Sequence, residues 1–91
     1  PKMSLDKEKS KGIQAKRFLE DEIFTNAVKR IRQAIDLEWK NSPMRDSEAR
    51  EWLYTLSKAL DMIVNEITSV AETGKLANKQ LSKEHKDTLY H

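Results

Sequence analysis

The chain has 91 residues, of which 37% are hydrophobic and 35% charged, and it contains no cysteine. This length predicts one domain with a modest core, burying about 60–65% of the surface of the unfolded chain. The lack of cysteine excludes disulfides, thiolate metal sites and cysteine nucleophiles. The net charge of +2 divides into +4 over residues 1–45 and −2 over residues 46–91, far from the basic stripe of a nucleic-acid binder.

The N-terminal segment, residues 1–11, is polar and rich in lysine. We expect a flexible arm, with ordering on a partner as the alternative. The chain starts at Pro1, as expected where an initiator methionine has been removed, which favours a complete protein. No secretory leader and no apolar run of the ~20 residues that cross a bilayer is present. We therefore expect the cytoplasm of a host cell or a virion as its location.

Two helices are predicted before the first proline-containing break. A short helix runs from Gly12 to about Glu20, and a stronger one covers residues 22–40. Apolar residues of the second helix cover more than half of its circumference, which indicates that it is covered on two sides. This helix ends at Asn41-Ser42-Pro43, because a proline disfavours the helical conformation of the residue before it.

The strongest prediction is a helix from Asp46 to Gly74. Asp46 or Ser47 is its expected N-cap, and Gly74 is the expected stop at the C′ position. An a/d seam is held for about three heptads, a pattern typical of a coiled coil. We expect this seam to form the core against the second helix; it consists of Ala49, Leu53, Leu56, Leu60, Ile63, Ile67 and Val70.

A link of about six residues makes the two strong helices antiparallel neighbours. The predicted fold class is therefore all-α: an antiparallel helical hairpin of two long helices plus a short N-terminal helix. The hairpin domain covers residues 12–74, and residues 75–91 form a weakly helical or frayed tail.

Two surfaces are candidates for partner binding. A stripe beside the hairpin contact of the second helix combines small residues with larger ends, so it could support self-association in a four-helix bundle, or receive a different protein. Two residues on the outward side of the third helix form the other candidate. The partner-binding candidates are Ile23, Ala27, Ala34 and Leu37 in the stripe, and Tyr54 and Met62 on the outward side.

No grouping of residues predicts catalysis. Glu38 lies in an apolar arc, where we expect it to reach solvent or to pair with Arg45 or Arg50; a general acid or base would need a titratable partner. Trp39 and Trp52 flank the hairpin turn, where we expect core packing against the loop or each other, with a binding hot spot as the alternative. His85 and His91 have no matching metal ligands. We predict no enzyme activity, cofactor or metal.

A basic set on the hairpin is the main argument for nucleic-acid binding. Acidic residues interleave with it and weaken its field, so this function is not favoured. The basic residues are Lys29, Arg30, Arg32, Lys40, Arg45 and Arg50.

Two segments are similar to parts of known proteins: FLEDEIFTNAVKRIRQAIDLEWKNSPMRDSEAREWLY, residues 18–54, and LDMIVNEITSVAETGKLANKQL, residues 60–81. Acidic and apolar residues lead into a tryptophan-containing helix end, followed by a short Pro/Asp link and an Arg-Glu-x-Leu helix start. Over about residues 12–81 the chain resembles short helical proteins encoded by tailed bacteriophages, many of them among virion and morphogenesis genes. The resemblance implies phage origin and virion assembly, and it assigns no site residues.

Together these features predict a non-enzymatic interaction or assembly protein, phage-encoded and virion-associated, whose partner is a protein or a second copy of the chain. The alternative is a small regulator that binds a host protein or nucleic acid.

Overall fold

The structure is a computed structural model that describes the backbone of residues 2–89 and the side chains of residues 4–84. It contains three helices: α1 over Lys2–Glu20, α2 over Glu22–Asn41 and α3 over Ser47–Leu89. Within the described backbone there is no strand, which confirms the all-α class.

Helix α1 begins at Lys2, so the helix predicted from Gly12 is longer than expected and includes most of the proposed arm. Asp21 separates α1 from α2, since its backbone is extended and its Oδ1 accepts a hydrogen bond of 2.9 Å from the Phe24 amide. That N-cap satisfies one of the amides that a helix start leaves without a partner. Helix α2 has nearly the predicted bounds.

The predicted stop at Gly74 is wrong, because α3 continues through this glycine to Leu89. The proposed tail, residues 75–91, is therefore helical as far as it is described. Fraying of this segment and flexibility of the arm in solution remain predictions. Helix α3 has 43 residues, against 19 in α1 and 20 in α2, so the expected pattern of two long helices and one short helix is also wrong.

Contacts divide the chain into two compact units, and α3 contributes to both. Unit 1 contains Pro1–Leu19 and Glu66–His91, and unit 2 contains Glu20–Asn65. In unit 1, α1 packs on the C-terminal part of α3. In unit 2, α2 packs beside the N-terminal part of α3.

In unit 1 the backbones of α1 and α3 come into direct contact at Gly12 and Gly74. A Cβ built on Gly12 would lie 2.5 Å from the Cα of Gly74, and the reverse substitution meets the Cα of Gly12 at the same distance. Both glycines are buried, and small residues surround them: Ala15, Ala71 and Ala77 are also buried. Because no side chain separates the helices here, Gly74 is needed for close packing rather than for ending a helix.

The predicted seam is only partly the buried face of α3. Leu53 and Leu60 are buried, and Ala49, Ile67 and Val70 are half-buried. Leu56 and Ile63 are exposed, which contradicts their assignment to the core. The buried face instead continues through positions one residue later, where Ser57 and Val64 are half-buried and Ala71 and Gly74 are buried.

We predict that Leu60→Ala lowers the free energy of unfolding by about 2–4 kcal/mol, because Leu60 is 9% exposed and its loss leaves a cavity. Thermal melting followed by circular dichroism measures this change. Leu76→Ala is the matched control, since Leu76 is 67% exposed on the same helix. A Leu60→Ala loss no larger than that of the control would contradict this assignment of the core.

Gly74→Ala separates the two roles of this glycine. In a helix interior, alanine is more favourable than glycine by about 1 kcal/mol of helix stability. Here we expect a net loss of about 1–3 kcal/mol, because the added methyl group would overlap a backbone that cannot move away cheaply. Thr73→Ala, at the exposed neighbouring position, is the control and should leave stability unchanged or slightly raised. A higher melting temperature for Gly74→Ala at equal protein concentration would disprove the backbone contact.

Candidate interaction surface

An apolar groove lies between α2 and α3 in unit 2. Its volume is about 420 Å³. Eight of the nine residues that line it are apolar, and the ninth is a glutamate. The lining residues are Ile31, Ala34, Ile35, Glu38, Leu53, Leu56, Ala59, Leu60 and Ile63.

The link between α2 and α3 sets the position of the groove walls. Helix α2 ends at Asn41, and the C-cap residue Ser42 donates from its amide and its Oγ to the carbonyl oxygen of Trp39, at 3.2 and 2.7 Å. Helix α3 starts at the predicted N-cap, because the Asp46 Oδ1 accepts from the Ala49 amide at 3.1 Å. The Asp46 amide in turn donates to the Pro43 carbonyl at 3.0 Å, which closes the turn.

Polar contacts join the two walls at two levels. The Arg32 guanidinium lies 2.8 Å from the Asp61 carboxylate, with both side chains about 40% exposed (41% and 39%). Nearer the turn, Arg50 lies over the Trp39 ring, 5.3 Å from its centroid, and its Nε donates to the Ser42 Oγ at 3.3 Å. Pairs this exposed contribute about 1 kcal/mol or less, so they fix the register of the helices more than they stabilise them.

Helix α2 remains largely in contact with solvent. None of its side chains, all of which are described, is buried. Phe24, Val28 and Ile35 are half-buried, whereas Ile23 is 81% exposed and Leu37 is also exposed. The expectation that this helix is covered on two sides is therefore wrong for the isolated chain, which supplies cover for one side only.

The predicted partner-binding residues fall on different faces. Ala34 lines the groove, and Ala27 and Ile23 lie on the same flank of α2 at helical spacing. Leu37 is exposed farther around that helix. Tyr54 and Met62 are exposed but do not line the groove; the Lys58 ammonium lies 5.3 Å from the centre of the Tyr54 ring.

Sequence reasoning missed the α3 side of the groove. Leu56 and Ile63 were assigned to the core, although they are the exposed members of the seam. The sequence does contain a pattern that indicates this surface. Val64 and Ala71 form a second row of apolar residues on α3, beside the row that contains Leu56 and Ile63. Two adjacent apolar lines on one helix indicate two contacts, one within the chain and one outside it.

The expectations at the turn are met in part. Glu38 is exposed to solvent, as expected, and it also lines the groove; the alternative pairing with Arg50 is not formed, because Arg50 contacts Trp39 and Ser42 instead. Neither tryptophan is in the core, since Trp39 is partly covered by Arg50 and Trp52 is exposed beside the turn. The expectation of core packing at these positions is wrong.

The basic residues do not form one surface. Arg32 is paired with Asp61, and Arg50 is engaged at the turn. At 3.6 residues per turn, Lys29 and Lys40 lie on one side of α2, about 16 Å apart along the helix with Asp36 between them, whereas Arg30 lies about 100° around the helix from Lys29. The field that they present to a phosphate backbone is correspondingly divided.

A smaller cavity of about 190 Å³ lies beside the glycine contact of unit 1. The stems of Lys9, Lys16 and Lys75 border it, together with Ile13 and Asn78. Lys75 is paired with Glu72 at 3.4 Å on the exposed face of α3. Lysine stems commonly cover apolar surface while their charges remain in water, and this accounts for the cavity without a ligand.

No group of three or more His, Cys, Asp or Glu residues suited to a metal ion occurs among the described residues; His85 and His91 lie outside the described side chains. Across the described helices, no segment combines the length and the apolar character that a membrane crossing requires. Comparison of the chain with protein-family models, curated proteins and solved structures found no match.

We predict that binding to duplex DNA is lost at about 150 mM salt, because few phosphates can be neutralised by the divided basic residues. Fluorescence anisotropy of a labelled duplex, titrated at low salt and again near physiological salt, measures this loss. Submicromolar affinity at the higher salt concentration would show that these residues act together as a nucleic-acid surface.

Proposed function

We propose that the chain is a non-enzymatic interaction and assembly protein that acts through apolar helical surface. The observation that supports this proposal is the groove between α2 and α3, with exposed Ile31, Leu56 and Ile63 in its walls. Contiguous exposed apolar patches on soluble domains mark contacts with other proteins more often than isolated exposed residues do.

The interaction module in this proposal is the antiparallel helical hairpin formed by α2 and the N-terminal part of α3. The Arg32–Asp61 and Arg50–Trp39 contacts support it, because residues progressively farther from the turn on one helix contact residues farther from the turn on the other. Helix-in-groove recognition suits such a surface: an amphipathic helix would place residues at i, i+3, i+4 and i+7 into it.

The biological setting in this proposal is a tailed bacteriophage, with a role in virion assembly. Support comes from the resemblance of residues 18–54 and 60–81 to short helical phage proteins. Mass spectrometry of purified particles and of assembly intermediates tests the setting. Absence of the chain from both would remove the assembly role while leaving the interaction surface intact.

Photo-crosslinking tests the surface itself. A benzophenone amino acid in place of Ile63 should give covalent adducts when the chain is produced in its natural setting. The same group in place of Met62 is the control, because Met62 is 71% exposed but does not line the groove. Adducts from position 63 alone support the proposal. No adduct from either position would disprove the proposed function, and adducts from position 62 alone would move the interaction to the opposite face.

A further inference from the structure

We propose that the occupant of the groove is a second copy of this chain, which packs α2 against α2 about a two-fold axis at Ala34. This inference rests on the proposed function, since it names the partner of the same surface. Two observations support it: the shape of the α2 flank and the distribution of charge along that flank.

The flank of α2 has the form of a self-complementary contact. Ala27 and Ala34 lie one above the other at its centre, where small side chains allow helices to approach closely. Ile31 and Leu37 stand three residues before and after Ala34, and at about 100° per residue they lie about 60° to either side of it. In an antiparallel pair centred on Ala34, Ile31 of one copy therefore opposes Leu37 of the other.

Charges on this flank obey the same symmetry. Arg30 and Glu38 stand four residues before and after Ala34, about 40° to either side. A two-fold axis at Ala34 places Arg30 of each copy opposite Glu38 of the other, giving two pairs of opposite charge. Neither residue takes part in an ion pair recorded among residues 4–84, so both charges remain available to a partner.

The arrangement that results is a four-helix bundle made from two hairpins. An isologous contact uses the same patch twice, so it closes on itself and leaves no free copy of the patch for a third chain. Glu38, the one polar residue in the groove lining, then has a cationic partner in the second copy. Its place in the groove is explained without a catalytic role.

Sedimentation equilibrium across a range of micromolar concentrations, at low salt, tests the contact. We expect the wild-type chain to dimerise, and Arg30→Glu and Glu38→Arg each to weaken the dimer at least about tenfold, since each creates two like-charge pairs. The double substitution Arg30→Glu/Glu38→Arg restores opposite charges and should return the dissociation constant to within about threefold of wild type.

Lys29→Glu and Asp36→Arg are matched controls, because they make the same changes of net charge at exposed positions of α2 outside this flank. Both should leave dimerisation nearly unchanged. Circular dichroism checks that each variant is helical, and the two single charge reversals are independent of each other if one fails to fold.

A wild-type monomer at tens of micromolar, or a dimer that Arg30→Glu and Glu38→Arg leave intact, overturns the proposal, as does a double variant that remains weak. Failure here is distinct from failure of the proposed function. A monomer whose residue 63 still crosslinks to another protein retains the interaction surface with a different occupant, whereas a monomer without adducts loses both.

Discussion

The contact between Gly12 and Gly74 is the constraint on which unit 1 depends. Two helices approach until backbone meets backbone, and a Cβ on either residue would overlap the other chain segment. Dispersion contacts between main-chain atoms replace those of large side chains, which explains how a unit can form from Ala15, Ala71 and Ala77 with little bulky core. It also explains why α3 does not stop at its glycine.

In unit 2 the helices pack through larger side chains and bury less of their apolar surface. Leu53 and Leu60 are buried, but α2 contributes only half-buried side chains such as Phe24 and Val28. The Arg32–Asp61 pair and the Arg50–Trp39 contact hold the helices in register without closing the space between them. The apolar groove is the surface that this incomplete burial leaves between the two helices, and it is the feature from which a binding function can be argued.

Local signals predicted the parts of the fold that depend on local chemistry. The helical class, the bounds of α2, the turn at Pro43 and the Asp46 cap follow from caps, proline and periodicity. Gly74 could not be interpreted in the same way, because a glycine that ends a helix and one that admits a neighbouring helix look identical without knowledge of Gly12. The predicted seam is off by one residue only at Leu56 and Ile63, where the longer apolar side chains are expected to be buried but Ser57 and Val64 are covered instead. That assumption is also why the groove was missed while Ala34 was found.

The difference in burial between the glycine contact and the groove residues has an evolutionary consequence. At Gly12 and Gly74 any substitution adds a side chain where the two backbones leave no room for one. Selection for folding alone should therefore keep glycine at both positions. Leu56 is 37% exposed and Ile63 is 55% exposed, so folding alone constrains these two positions less tightly than the glycines. We expect the residues at these positions to change together with the binding partner rather than with the fold.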